Sequence, residues 1–121
     1  MTVSATRIKE LLEAYVCAHE AGTVRTGIEV AELRPDLVIE LPGDIRIAIE
    51  ILDATHSPSG TTRKIGTYFE AGTQEVWLID PIDGMVELWT SPRFPLQLTD
   101  DDVISSIFLP GFSLPLPELF A

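Results

Sequence analysis

Asp36-Leu-Val-Ile-Glu-Leu41, Pro42-Gly-Asp44 and Ile45-Arg-Ile-Ala-Ile-Glu-Ile-Leu52 together form the stretch on which the fold turns. Two aliphatic, largely β-branched runs joined by Pro-Gly-Asp carry the chemistry of a β-hairpin. A three-residue loop, Pro42 to Asp44, sets Leu41 against Ile45, Ile39 against Ile47 and Leu37 against Ile49. Six aliphatic side chains then share one face. A two-residue loop would send the aliphatic sets of the two strands to opposite faces, so burial selects the three-residue register. On the other face Glu40 opposes Arg46, a favourable cross-strand pair, and Asp36 opposes Glu50. Two carboxylates facing each other repel unless something offsets them. A divalent cation would do so, and a pair of carboxylates completed by water suits magnesium. The bland alternative is a splayed, hydrated pair at the sheet edge.

Working outward, Ile8, Leu11, Leu12, Tyr15 and Val16 recur at helical spacing and predict a first helix, with Ser4 or Thr6 as cap and Gly22 as stop. Thr23 to Ala31 reads as a strand with a bulge at Gly27. After the hairpin, a Ser/Thr/Pro/Gly-rich loop from Asp53 to Thr61 leads to a short helix, Thr62 to Ala71, stopped by Gly72. Glu75 to Asp80 is a strand, Pro81 to Gly84 a turn and Met85 to Trp89 the returning strand. The remainder carries Pro92, Pro95, Pro110, Pro115 and Pro117 and reads as a tail wrapped on the surface. Within it, Val103 to Leu109 reads as one more strand and Leu119-Phe120 as an anchor. Helix, three strands, helix, two strands and an irregular tail make an α+β (mixed α/β) layer around one sheet, in one domain over residues 1–121.

Composition narrows the function. With 8 Lys+Arg against 19 Asp+Glu, the net charge is −11. That argues against a broad nucleic-acid surface, which needs Lys and Arg, and against binding to anionic membranes. A small site in which a metal ion supplies the positive charge remains compatible. The longest uncharged run, Ile104 to Pro117, is broken by Ser105, Ser106, Gly111 and three prolines, so no membrane helix is expected. The opening residues have no apolar core of a signal peptide. Cys17 is the only cysteine, which excludes an intrachain disulfide and a cysteine-based zinc cage. A reducing, cytoplasmic setting is the simplest reading.

The order of elements and the placing of the acids resemble the PD-(D/E)xK nuclease superfamily, with Pro35-Asp36 on one strand and Glu50 on the next. More specifically, the chain resembles the Uma-type family of restriction-endonuclease-like proteins. The resemblance is carried by Arg34-Pro-Asp-Leu37, Ile49-Glu-Ile-Leu52, Ser57-Pro-Ser59, Lys64, Tyr68, Ala71-Gly-Thr-Gln-Glu-Val-Trp-Leu-Ile-Asp-Pro81 and the ending Leu109 to Phe120. It covers nearly the whole chain. Each piece alone is weak, but the combination is fairly specific.

The resemblance implies a restriction-endonuclease-like core and a magnesium- or manganese-dependent endonuclease acting on DNA. Asp36 and Glu50 would hold the ion, with the Ile51 carbonyl as a third ligand. The superfamily's usual lysine, two residues after the acid, is here Leu52. The role passes by resemblance to Lys64 on the following helix, making Asp36, Glu50 and Lys64 the catalytic set. A solvated helix lysine is the plain alternative for Lys64. Glu29 reads as a solvated strand residue, His19 and His56 as surface histidines, Tyr68, Trp77 and Trp89 as packing residues, and Asp80 and Asp83 as turn residues. The competing function is a catalytically inactive interaction or regulatory protein that keeps the nuclease fold. Superfamily nucleases often pair, and the apolar tail residues Phe108, Leu109, Phe112, Leu114, Leu116 and Phe120 exceed what a free tail would expose, so a homodimer is expected.

Overall fold

The computed structural model describes residues 5–18, 23–53 and 58–121. Ser4, His19, Gly22, His56 and Ser57 lie outside the described residues. The elements are α1 (Ala5–Ala18), β1 (Thr23–Arg25), β2 (Leu37–Leu41), β3 (Ile45–Ile51), α2 (Pro58–Glu70), β4 (Glu75–Asp80), β5 (Met85–Trp89), β6 (Leu96–Leu98), β7 (Val103–Ile104), β8 (Leu114–Pro115) and α3 (Leu116–Leu119). Strands β1 to β6 form one sheet in chain order, and β7 pairs with β8 separately. The fold is mixed α+β with a mainly sheet core.

The hairpin has the expected register: Leu37 pairs with Ile49, Ile39 with Ile47 and Leu41 with Ile45. Its loop turns on Gly43 at φ 85° and Asp44 at φ 60°, two consecutive left-handed residues of which glycine and aspartate are tolerant. The odd-numbered residues of β2 and β3 bury against Ile8, Leu12 and Val16 of α1 and against the C-terminal segment. The even-numbered face, with Val38 and Ala48, packs on Ile65 and Tyr68 of α2. Between β3 and β4 the chain crosses over through α2, so these two strands run parallel. Gly72, at φ 92°, ends α2: its N–H donates to the Phe69 carbonyl at 3.0 Å and the Thr73 N–H to the Tyr68 carbonyl at 3.0 Å.

Four expectations need correction. Thr6 lies within α1, which begins at Ala5, and so does not cap it. The strand from Thr23 stops at Arg25, because Gly27 takes φ 70° and Ala31 and Glu32 take φ 51° and 69°, which no strand accommodates. Helix α2 begins earlier than Thr62, at Pro58.

The fourth concerns the tail. It adds a sixth strand at Leu96–Leu98, its strand at Val103 stops at Ile104, and the apolar residues beyond Phe108 turn inward. Leu109, Phe112, Leu114, Leu116 and Leu119 are all buried in the α1-side core. Phe112 sits 6.0 Å, centroid to centroid, from both Tyr15 and Trp77, while the Tyr15 hydroxyl donates to Glu118. Prolines broke the periodicity that marks a core-forming element, yet the spaced aliphatics between them still satisfy the core. The tail residues on which the expectation of a dimer rested, Phe108, Leu109, Phe112, Leu114, Leu116 and Phe120, are therefore buried or half-buried in the chain's own core.

Candidate functional site

Asp36 stands one residue before the first paired residue of β2. Just outside the ladder, its side chain turns onto the end of β3, where Oδ2 accepts the Ile51 N–H at 2.7 Å. The N–H and C=O of one strand residue point to the same side, so the Ile51 carbonyl lies on the side of β3 that Asp36 occupies. Glu50, on the α2 face of β3, is only 4% exposed. Its Oε1 accepts the Tyr68 hydroxyl at 2.5 Å and lies 3.9 Å from Lys64 Nζ. Lys64 and Tyr68 are one turn apart on α2, which is why they reach the same carboxylate. The Tyr68 ring is fully buried. Burial first, then the hydrogen bond to Glu50 and the charges of Glu50 and Asp36, push its hydroxyl well above the ordinary phenol value. Tyr68 is therefore a fixed proton donor to Glu50.

A second lysine reaches the group from the opposite side. Lys9 of α1 places Nζ 3.8 Å from Asp36 Oδ1. The structure thus brings together Asp36, Glu50, the Ile51 backbone, Lys64, Tyr68 and Lys9. Sequence reasoning treated Tyr68 as packing and assigned Lys9 no role. The spacing of Lys64 and Tyr68 hinted at the first contact. Nothing local in the sequence announced the second, since it depends on how α1 lies across the sheet.

Other candidates fall elsewhere. Glu29 is exposed and pairs with Arg34 at 3.2 Å. Arg46 does stand opposite Glu40, but its guanidinium reaches the α2–β4 turn, donating to Thr73 Oγ1 at 3.2 Å and to the Ala71 carbonyl at 3.0 Å. Glu40 pairs instead with Arg25 at 2.9 Å. Trp77 and Trp89 are buried in the sheet's two faces, and Asp80 Oδ1 accepts the Ile82 and Asp83 N–H groups of its turn.

The donor set can be tested against a cation. Among the described residues no group of three or more His, Cys, Asp or Glu gathers to hold a metal. An ion between Asp36 and Glu50 would have two carboxylates, a backbone carbonyl and water as ligands. All are hard oxygens and few come from the protein, which fits magnesium or manganese and not zinc or calcium cages.

The Uma2 family model, described as "Putative restriction endonuclease", matches residues 13–117. Among solved structures, the chain is similar to a protein of Anabaena variabilis described as a putative nuclease belonging to DUF820. That likeness has a TM-score of 0.76 at 20% identity, over 95% of this chain and 79% of the other. No curated protein matches.

Proposed function

The chain belongs to the Uma2 family, and from that membership we propose a magnesium-dependent endonuclease that hydrolyses phosphodiester bonds in DNA, with Asp36, Glu50 and Lys64 as its working residues. The observation that carries the reading is the convergence of Lys64, from a different element, on the buried Glu50 carboxylate at 3.9 Å, beside Asp36. A lysine two residues after the acid is absent, and an ammonium nevertheless arrives at the acid. Asp36, Glu50 and the Ile51 carbonyl are the ligands for the ion. When bound, magnesium lowers the pKa of water and stabilises charge on a phosphate.

The remaining work falls to the chain. The Tyr68 hydroxyl holds Glu50 in one rotamer and keeps it aimed. The Ile51 N–H does the same for Asp36. Lys64, part-exposed with its stem along the α2 surface, presents its ammonium to the incoming water or to the charge that builds on the phosphate oxygens. Leu52 packs at the edge of the α2-side core, where a lysine would leave the cluster incomplete.

A second reading, a nuclease fold retained for protein interaction, is favoured by one observation: each carboxylate already has an ammonium beside it, so the site is balanced without an ion. Incubating the purified chain with supercoiled and linear DNA, with magnesium, with manganese and with EDTA, separates the two. Metal-dependent cleavage that Glu50→Ala abolishes supports the nuclease. Absence of cleavage under all conditions supports the interaction protein.

We also propose a homodimer, now on different residues. Phe94, Leu96 and Ile107 are 74%, 62% and 84% exposed beside β6, an edge strand of the sheet. Light scattering of the parent and of Leu96→Glu should give a dimer and a monomer respectively.

A further inference from the structure

Lys9 belongs to neither the two carboxylates nor the α2 lysine, yet α1 delivers it to the same place. Its ammonium is 3.8 Å from Asp36 Oδ1, and both side chains are about one-third exposed, at 35% and 29%. An ion pair that open to water stabilises a fold very little, so stability does not explain why a lysine stands there. Its neighbours Ile8 and Leu12 are fully buried, which anchors the helix turn that carries it.

Charge sharpens the point. Asp36 and Glu50 are matched by Lys9 and Lys64, one ammonium to each. Adding a doubly charged cation would leave the group net positive, and a phosphate diester is then attracted. Removing Lys9 would halve that excess. On a chain of net charge −11, with long-range attraction to DNA unfavourable, the few cations that reach the site must supply the hold on the phosphate. Lys9 and Lys64 approach from helices on opposite faces of the sheet, so a phosphate at the carboxylates would lie between them.

We infer that Lys9 is a second phosphate-binding residue of the site, gripping the DNA backbone from the α1 side while Lys64 acts from the α2 side. This rests on the nuclease reading. Free of DNA, Lys9 pairs with Asp36; with DNA bound, its ammonium turns to a phosphate oxygen. Beside Asp36 it also competes with the metal ion.

The test compares the parent with Lys9→Gln and Lys9→Arg in three measurements. In cleavage assays with magnesium, Lys9→Gln raises KM about tenfold with a smaller fall in kcat, and Lys9→Arg, which keeps the charge, recovers most of it. In DNA binding with calcium in place of magnesium, followed by fluorescence anisotropy across a salt series, Lys9→Gln flattens the slope of log affinity against log salt by roughly 0.9, the loss of one phosphate contact. In calorimetric titration of manganese without DNA, Lys9→Gln binds the ion more tightly than the parent, because a neighbouring positive charge has gone. A lysine that only pairs with Asp36 would move the last measurement and neither of the first two; that pattern, in a parent that cleaves, overturns the role of Lys9 alone. A parent that neither binds nor cleaves DNA overturns this role and the nuclease reading together.

Discussion

Glu50 and Glu75 are two carboxylates buried almost equally, at 4% and 2% exposed, on the adjacent parallel strands β3 and β4. Their side chains leave opposite faces of the sheet. Glu75 accepts from Trp77 Nε1 at 2.8 Å, within β4 itself, and from Ser106 Oγ at 2.7 Å, which ties β4 to the C-terminal segment; both donors are neutral. Burial pushes its carboxyl above the usual carboxylate range, and those two bonds pull it only part of the way back. Glu50 accepts from a neutral donor, Tyr68, and faces a cation, Lys64, with Asp36 and Lys9 beside it. Burial by itself therefore does not distinguish an acid held by neutral donors from one held among charges. Glu75 is enclosed by donors that need nothing further. Glu50 stands among charges of both signs, the set on which the proposed nuclease reading rests.

The largest effect expected from breaking this contrast is at Lys64. Lys64→Ala should lower the cleavage rate on the order of a hundredfold or more, the loss of one transition-state contact, with the melting temperature nearly unchanged. Lys64→Arg should rescue only in part, since a planar guanidinium does not replace a compact ammonium. Cleavage rate alongside thermal melting decides the matter, and a fall in both would make Lys64 structural like the partners of Glu75. Next in size is metal binding: Asp36→Ala and Glu50→Ala should each weaken manganese binding by calorimetry, whereas Glu75→Ala should not. Equal binding by all of them would erase the distinction between the two acids.

Smaller effects lie in stability. Trp77→Phe and Tyr68→Phe each remove one hydrogen bond to a buried carboxylate, at a cost of about 1–3 kcal/mol. Tyr68→Phe should be the milder in denaturant melts, because the Lys64 ammonium still faces Glu50, but it alone should also reduce cleavage. The smallest is Glu75→Gln. A carboxyl whose value is raised by folding favours the folded state below its unfolded value, near 4.5, and loses that advantage as pH rises through the folded value. The amide introduced by Glu75→Gln would accept the Trp77 N–H through its oxygen and donate from its NH2 to the Ser106 hydroxyl oxygen, without the buried charge. The melting temperature of this variant should thus exceed that of the parent at pH 7, with the difference closing toward about pH 4. A difference that widens on acidification would mean that Glu75 gains more from its charge than burial costs.

Much of this was legible before any coordinates. The hairpin register followed from period-two alternation and a Pro-Gly-Asp loop, because a one-residue slip would send the aliphatic sets of the two strands to opposite faces. Strands β4 and β5 were bounded by Gly72, Pro81 and Gly84, whose backbone preferences are local. Asp36, Glu50 and Lys64 were singled out together, two by register and one by family resemblance. The tail misled because prolines hide periodicity: Leu109, Phe112, Leu114, Leu116 and Leu119 are too irregularly spaced to signal a common face, and only the sheet beneath them shows that they share one.

The sequence by itself determined the alternation of the strands, the loop that sets their register and so the face on which Glu50 lies, since these depend on neighbours a few residues apart. The tertiary structure alone decided that Lys9 reaches Asp36, that the Tyr68 hydroxyl meets Glu50 and that Glu75 is sealed by Ser106. Those contacts join residues far apart in the chain, and their distances follow from how two helices and a tail lie across a sheet, which side-chain packing over the whole core sets and no local pattern records.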